Sequence, residues 1–132
     1  MKYLFLLVSN KPSTQWASIL REALAPLGEL CVDSEGNTLH KIPPQHYDAI
    51  IVDAGAVKDV VAITHGLRHR CPQARVIIAT TSPTWKRARE ALRAGATDYI
   101  RKSLDKKKLY SEIKATLSSP LLPSLSQNGG NI

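Results

Sequence analysis

Five short apolar runs divide this chain, at residues 3–8, 29–32, 49–53, 75–79 and 97–101, and the stretches between most of them carry apolar side chains at helical spacing. Short apolar runs bounded by turn residues read as buried strands. Strict alternation of strand and helix predicts a parallel sheet with helices on both faces, because right-handed crossovers are strongly preferred. The expected fold class is therefore α/β: a doubly wound, five-stranded parallel sheet.

The helices follow from periodicity and punctuation. Ser13 is expected to cap a helix from about Thr14, with Trp16, Ile19, Leu20, Ala23, Leu24 and Leu27 inward and Gly28 as its end. A helix over 37–41 is stopped by Pro43-Pro44. A third runs from Ala56 to Arg70, with Val57, Val60, Val61, Thr64 and Leu67 inward. Ser82 caps a fourth, with Pro83 at its first position and Gly95 after Ala94. Ser103 or Asp105 caps the last, to about Leu117, with Leu109 and Ile113 inward. Trp16 and Trp85 are expected to be helix packing.

With 132 residues the chain makes one domain with a real core. No apolar stretch approaches the roughly 20 residues of a membrane helix. Met1-Lys2 and the apolar residues that follow resemble the opening of a signal peptide, but Ser9-Asn10-Lys11-Pro12 ends the run abruptly, so a buried first strand explains it better. Cys31 and Cys71 lack a CxxC spacing and are expected to be free thiols in a reducing cytoplasm. His65 and His69 stand four apart on a helix without a third metal ligand. There is no GxGxxG after the first strand, no GxxxxGK[ST] and no Ser-His-Asp pattern.

Function is expected where strands end, since in such sheets side chains at the carboxyl ends line the crevice. Asp53 follows Ala49-Ile50-Ile51-Val52, Thr80 follows Val76-Ile77-Ile78-Ala79, and Lys102 follows Asp98-Tyr99-Ile100-Arg101. An acid, a hydroxyl and a cation suggest a phosphate-handling pocket. The first strand ends in the neutral pair Ser9-Asn10, which suggests that the pocket has lost its metal.

These residues carry a resemblance. Tyr47-Asp48-Ala49-Ile50-Ile51-Val52-Asp53, Val76-Ile77-Ile78-Ala79-Thr80-Thr81 and Ala94-Gly95-Ala96-Thr97-Asp98-Tyr99-Ile100-Arg101-Lys102 resemble, in order, the receiver domain of a two-component response regulator. The match spans about residues 3–117 and implies a flavodoxin-like, CheY-like fold. It implies that Asp53 accepts a phosphoryl group from a histidine kinase and that Lys102 binds a phosphate oxygen. Thr80 and Tyr99 would move after transfer, and two acids at the positions of Ser9 and Asn10 would help hold Mg²⁺.

The sequence departs from that pattern at three places. The acid pair is Ser9-Asn10, the loop after Asp53 is the shortened Ala54-Gly55-Ala56-Val57-Lys58, and Ser103 replaces the proline after the lysine. Mg²⁺ is usually held by one or two carboxylates plus phosphate oxygens. Asp53 is the only acid expected in the pocket, with Asn10, Ser9 and the Gly55 backbone as weak further ligands. The expectation is a pocket without Mg²⁺, in which Asp53 pairs with Lys102 and no phosphorylation-driven switching occurs; Mg²⁺ belongs only to a version that keeps phosphorylation.

Net charge is +7 and unevenly placed: residues 84–132 hold ten Lys and Arg against four acids, while residues 1–83 are nearly balanced. Lys86, Arg89 and Arg93 share one helix face, and Arg101, Lys106, Lys107 and Lys108 follow. In the resembled family this region meets partners, so it is read as a partner surface for a signalling protein with an acidic face. A homodimer through residues 83–117 is a further option. The expected function is a cytoplasmic two-component signalling receiver acting through protein contacts, not an enzyme beyond Mg-dependent self-phosphorylation on Asp53. The alternatives are a phosphoacceptor regulator phosphorylated by a histidine kinase and a basic nucleic-acid-associated module. Residues 1–118 form the expected domain and 119–132 a flexible tail or linker.

Overall fold

A computed structural model of the chain describes residues 2–40 and 46–119. Five parallel strands, β1 (Tyr3–Val8), β2 (Gly28–Asp33), β3 (Ala49–Asp53), β4 (Arg75–Thr80) and β5 (Asp98–Arg101), form one sheet in the order β2-β1-β3-β4-β5. This is the doubly wound arrangement expected from the alternation, and it carries the flavodoxin-like strand order. Helices α1 (Gln15–Leu24) and α5 (Lys106–Ser118) cover one face. Helices α2 (Glu35–His40), α3 (Val60–Arg70) and α4 (Trp85–Arg93) lie on the other side of the sheet. The central strands are buried on both faces, which is why β3 reads as an unbroken apolar run. Phe5, Leu7, Ile51 and Ile77 point to the α1–α5 side, and Leu6, Ile50, Val52, Val76 and Ile78 to the other.

Several element ends differ from expectation, each for a local reason. Thr14, not Ser13, caps α1 by accepting from the Ala17 N–H at 3.2 Å. Gly28 does not end α1; it opens β2 beside Tyr3, where any Cβ would meet the Tyr3 carbonyl oxygen at 1.8 Å. The helix placed at 37–41 is α2 and starts at Glu35, with the Ser34 hydroxyl accepting from Asn37 N–H; Lys41 and the Pro43-Pro44 stop lie outside the described residues. Residues 54–56 form a single 3₁₀ turn, and α3 begins only at Val60, capped by Asp59. On α3, Ile63, Thr64 and Leu67 are buried, Val60 is half buried, and Val61 faces out, contrary to its expected inward place. Ser82 does not cap α4: it lies in the turn after β4, where its N–H is donated to Thr80 Oγ1, and the Thr84 hydroxyl caps the helix by accepting from the Arg87 N–H. Asp105 caps α5, while Ser103 Oγ accepts from the Asp105 N–H. Gly95 closes α4 as expected, with φ +113. Of the expected tail, residues 120–132 lie outside the described part of the chain.

Candidate functional site

Parallel pairing brings the carboxyl ends of β1, β3, β4 and β5 to one edge, and Asp53, Thr80 and Lys102 meet there. Asp53 is almost fully buried, and the Lys102 ammonium forms an ion pair with its Oδ1. The Gly55 N–H donates to the same oxygen at 3.2 Å, so the Gly55 backbone does reach the pocket, as a donor. Two backbone hydrogen bonds fix the frame: Lys102 N–H to the Thr80 carbonyl at 2.8 Å, and Asn10 N–H to the Ala56 carbonyl at 2.8 Å. Thr80 is buried, and its hydroxyl accepts from the Ser82 N–H at 3.2 Å. Tyr99 is half buried and, with Thr80, Ser82, Arg87 and Ala91, lines a cavity of about 420 Å³ between the β3–α3 turn and α4.

Ser9 and Asn10 sit at the end of β1, but their polar atoms are engaged with their own neighbours. The Ser9 hydroxyl accepts from the Lys11 N–H at 3.0 Å. The Asn10 amide closes a ring with Glu35: its Oδ1 accepts from Glu35 N–H at 3.0 Å and its Nδ2 donates to Glu35 Oε1 at 3.2 Å. Glu35 is itself buried and accepts from Lys58 N–H at 2.7 Å and Asp59 N–H at 3.0 Å. Burial pushes the Glu35 pKa up, but the two backbone N–H groups, the Asn10 amide and the Lys58 charge outweigh it and hold it below the ordinary value. One carboxylate thus ties the ends of β1 and β2 to the loop after β3. Asp53 is therefore not the only acid at this edge, which corrects the sequence reading.

Glu35 lies in a stretch, residues 33–48, whose apolar pattern is weak, so periodicity alone does not single it out. The signal was available: β2 also ends at this edge, and Glu35 is an acid just past its end. Trp16 does more than the packing expected of it. It is buried at the start of α1, yet the Lys102 Nζ lies 5.2 Å from its ring centroid and its Nε1–H donates to the Ser103 carbonyl at 3.1 Å. The other two motif acids are structural: Asp48 accepts from Leu4 N–H at 2.8 Å, and Asp98 accepts from the Thr116 hydroxyl at 3.0 Å. Cys31 and Cys71 are free thiols, and burial raises the Cys71 pKa. His65 and His69 are exposed, and no group of three metal-ligating side chains occurs among the described residues.

The cationic residues form a belt around the edge strand β5. Lys86, Arg89 and Arg93 are exposed on α4, Arg101 on β5, and Lys107 and Lys108 on α5. Lys106 is drawn off to an ion pair with Glu22 of α1. Only Ala91 of α4 is buried, and Trp85 is 79% exposed, contrary to its reading as packing. No helix among the described residues is long and apolar enough to cross a membrane.

No protein-family model matches the sequence, and no curated protein matches it. Its fold is similar to that of many solved structures. A response regulator from Thermotoga maritima aligns with TM-score 0.79 at 17% identity, over 90% of this chain and 100% of that chain. An orphan response regulator of H. pylori gives 0.73 at 21% identity, over 86% and 96%. A chemotaxis response regulator of Vibrio cholerae gives 0.75 at 17%, over 88% and 99%.

Proposed function

We propose that this chain, which has the fold of a CheY-like response-regulator receiver domain, is a signalling module of the two-component type that works through protein contacts in one fixed shape, without Mg²⁺ or switching by phosphorylation at Asp53. The observation that carries the reading is the ion pair between Lys102 and the buried Asp53. The cation expected to meet a phosphoryl oxygen is already paired with the carboxylate that would accept the group. The donor set supports the same reading and does not fit Mg²⁺. That ion takes near-octahedral oxygen ligands, usually including one or two free carboxylates. Here Asp53 is neutralised by a lysine, Ser9 and Asn10 are uncharged and engaged, and the lone pairs of Glu35 are spread over three N–H donors.

Phosphoryl transfer depends on positioning and charge neutralisation. In this pocket Lys102 is the cation that would neutralise the transferred group, and it would first have to leave Asp53. The partner in this reading is a signalling protein with an acidic face. It would dock on the belt of Lys86, Arg89, Arg93, Arg101, Lys107 and Lys108, with the exposed Trp85 as its apolar contact, since Trp and Arg dominate binding energy at protein interfaces.

The test is incubation of the purified chain with Mg²⁺ and acetyl phosphate, followed by intact mass and acid-labile phosphate analysis. The expected result is no adduct on Asp53 at millimolar Mg²⁺. A stable aspartyl phosphate with changed Thr80 and Tyr99 resonances would replace the fixed-shape reading with that of a phosphoacceptor regulator.

A further inference from the structure

We propose that Trp16 is a positioning residue for the pocket, holding Lys102 against Asp53 and so setting the state in which the pocket rests. The inference builds on the fixed-shape reading above but stands on different contacts. The indole makes two distinct interactions with consecutive residues after β5. Its face receives the Lys102 ammonium, 5.2 Å from the ring centroid, and its edge donates Nε1–H to the Ser103 carbonyl at 3.1 Å. The first is an electrostatic attraction between a cation and the negative face of the ring, and it strengthens where water is excluded. Water is largely excluded here, because the exposure of the Lys102 side chain is 15% and that of Trp16 is 6%. The second fixes the backbone one residue beyond the lysine, where the resembled family has a proline and this chain has Ser103.

Lys102 therefore lies between an anion and an aromatic face. Leaving Asp53 for an incoming anion means leaving Trp16 as well, so the indole adds to the barrier against any change of partner. Simple core packing would ask of residue 16 only apolar bulk. Positioning asks for an aromatic face and an N–H. Trp16→Leu keeps bulk and removes both, whereas Trp16→Phe keeps a face and removes the N–H.

Two readouts separate positioning from packing. In ¹³C-lysine-labelled wild-type protein, ring currents should place the Lys102 ε-methylene resonance upfield of the exposed lysines. In timed acetylation read by peptide mass spectrometry, Lys102 should be the slowest lysine of the wild type. Trp16→Leu should accelerate it by roughly 2- to 30-fold, with Trp16→Phe between the two. Lys114, exposed on α5 and 5.4 Å from the Tyr110 ring, serves as the internal reference and should not change. A Lys102 resonance at the position of the exposed lysines in the wild type would overturn the proposal, and that measurement needs no variant to fold. So would a Trp16→Leu protein, folded by circular dichroism, whose Lys102 reacts no faster. The acetyl phosphate experiment bears on the fixed-shape reading alone. Aspartyl phosphate in a wild type whose Lys102 is still shielded would remove that reading and leave the role of Trp16 intact.

Discussion

Glu35 accepts three hydrogen bonds from groups on two different loops, although it lies in the part of the sequence with the weakest local signal. Its depressed pKa makes it a stability group with a definite pH window. Because the folded state holds the proton less tightly than the unfolded chain, its contribution is complete above the ordinary value of 4.5 and is lost as pH falls through the lower folded value. Urea midpoints should fall as pH is lowered through that region. Glu35→Gln should lose about 1–3 kcal/mol at neutral pH, since an amide nitrogen would face N–H donors, and should flatten the acid limb. An acid limb as steep in the variant as in the wild type would assign the dependence to another carboxylate. Asp53, Thr80 and Lys102 could be placed from sequence because strand ends locate them. The place of Glu35 could be found the same way, just past the end of β2, but its role and that of Trp16 could not, because their partners lie far along the chain, at Lys58, Asp59 and Lys102.

At the level of elements, identity and order were legible and ends were not. Apolar runs name strands because burial on both faces tolerates nothing else. Helix starts are settled by single capping hydrogen bonds. The Thr84 hydroxyl accepts from the Arg87 N–H and so starts α4 at Trp85, and the Asp59 carboxylate accepts from the Ala62 N–H and so starts α3 at Val60. Glycine roles divide in the same way. Gly28→Ala should cost about 1–3 kcal/mol or more, because the clashing atoms belong to the Tyr3 backbone and β1 must shift. Gly55→Ala should be nearly silent, since a Cβ there meets Lys102 Nζ at 3.6 Å and Asp53 Oδ1 at 3.8 Å, ordinary contacts. Urea denaturation of the two variants checks both. Equal losses would show that the approach of β2 to β1 is not what Gly28 provides.

For the molecule as a whole, burial falls from the centre of the sheet outwards. β1, β3 and β4 lie at its centre, flanked by packed layers, whereas α4 contributes one buried residue, Ala91, and β5 is a short edge. Amide exchange should follow this gradient, slowest at Ile50, Ile51 and Ile77 and fastest among helices in α4, because few buried contacts resist its local opening. Protection of α4 equal to that of β3 would contradict the picture. A loosely held cationic helix beside the pocket is also where a partner could dock with the least disturbance to the core.

The sequence by itself determined the strand and helix order, the parallel sheet, and the gathering of Asp53, Thr80 and Lys102 at one edge. Burial and right-handed crossover act on local pattern, so a linear reading carries them. Only the tertiary structure decided that Lys102 rests between Asp53 and Trp16, that Glu35 stands behind Asn10, and that Trp85 faces solvent. Those outcomes depend on which distant side chains share a dry volume, and the strength of charge and hydrogen bonding there is set by water exclusion that no local pattern encodes.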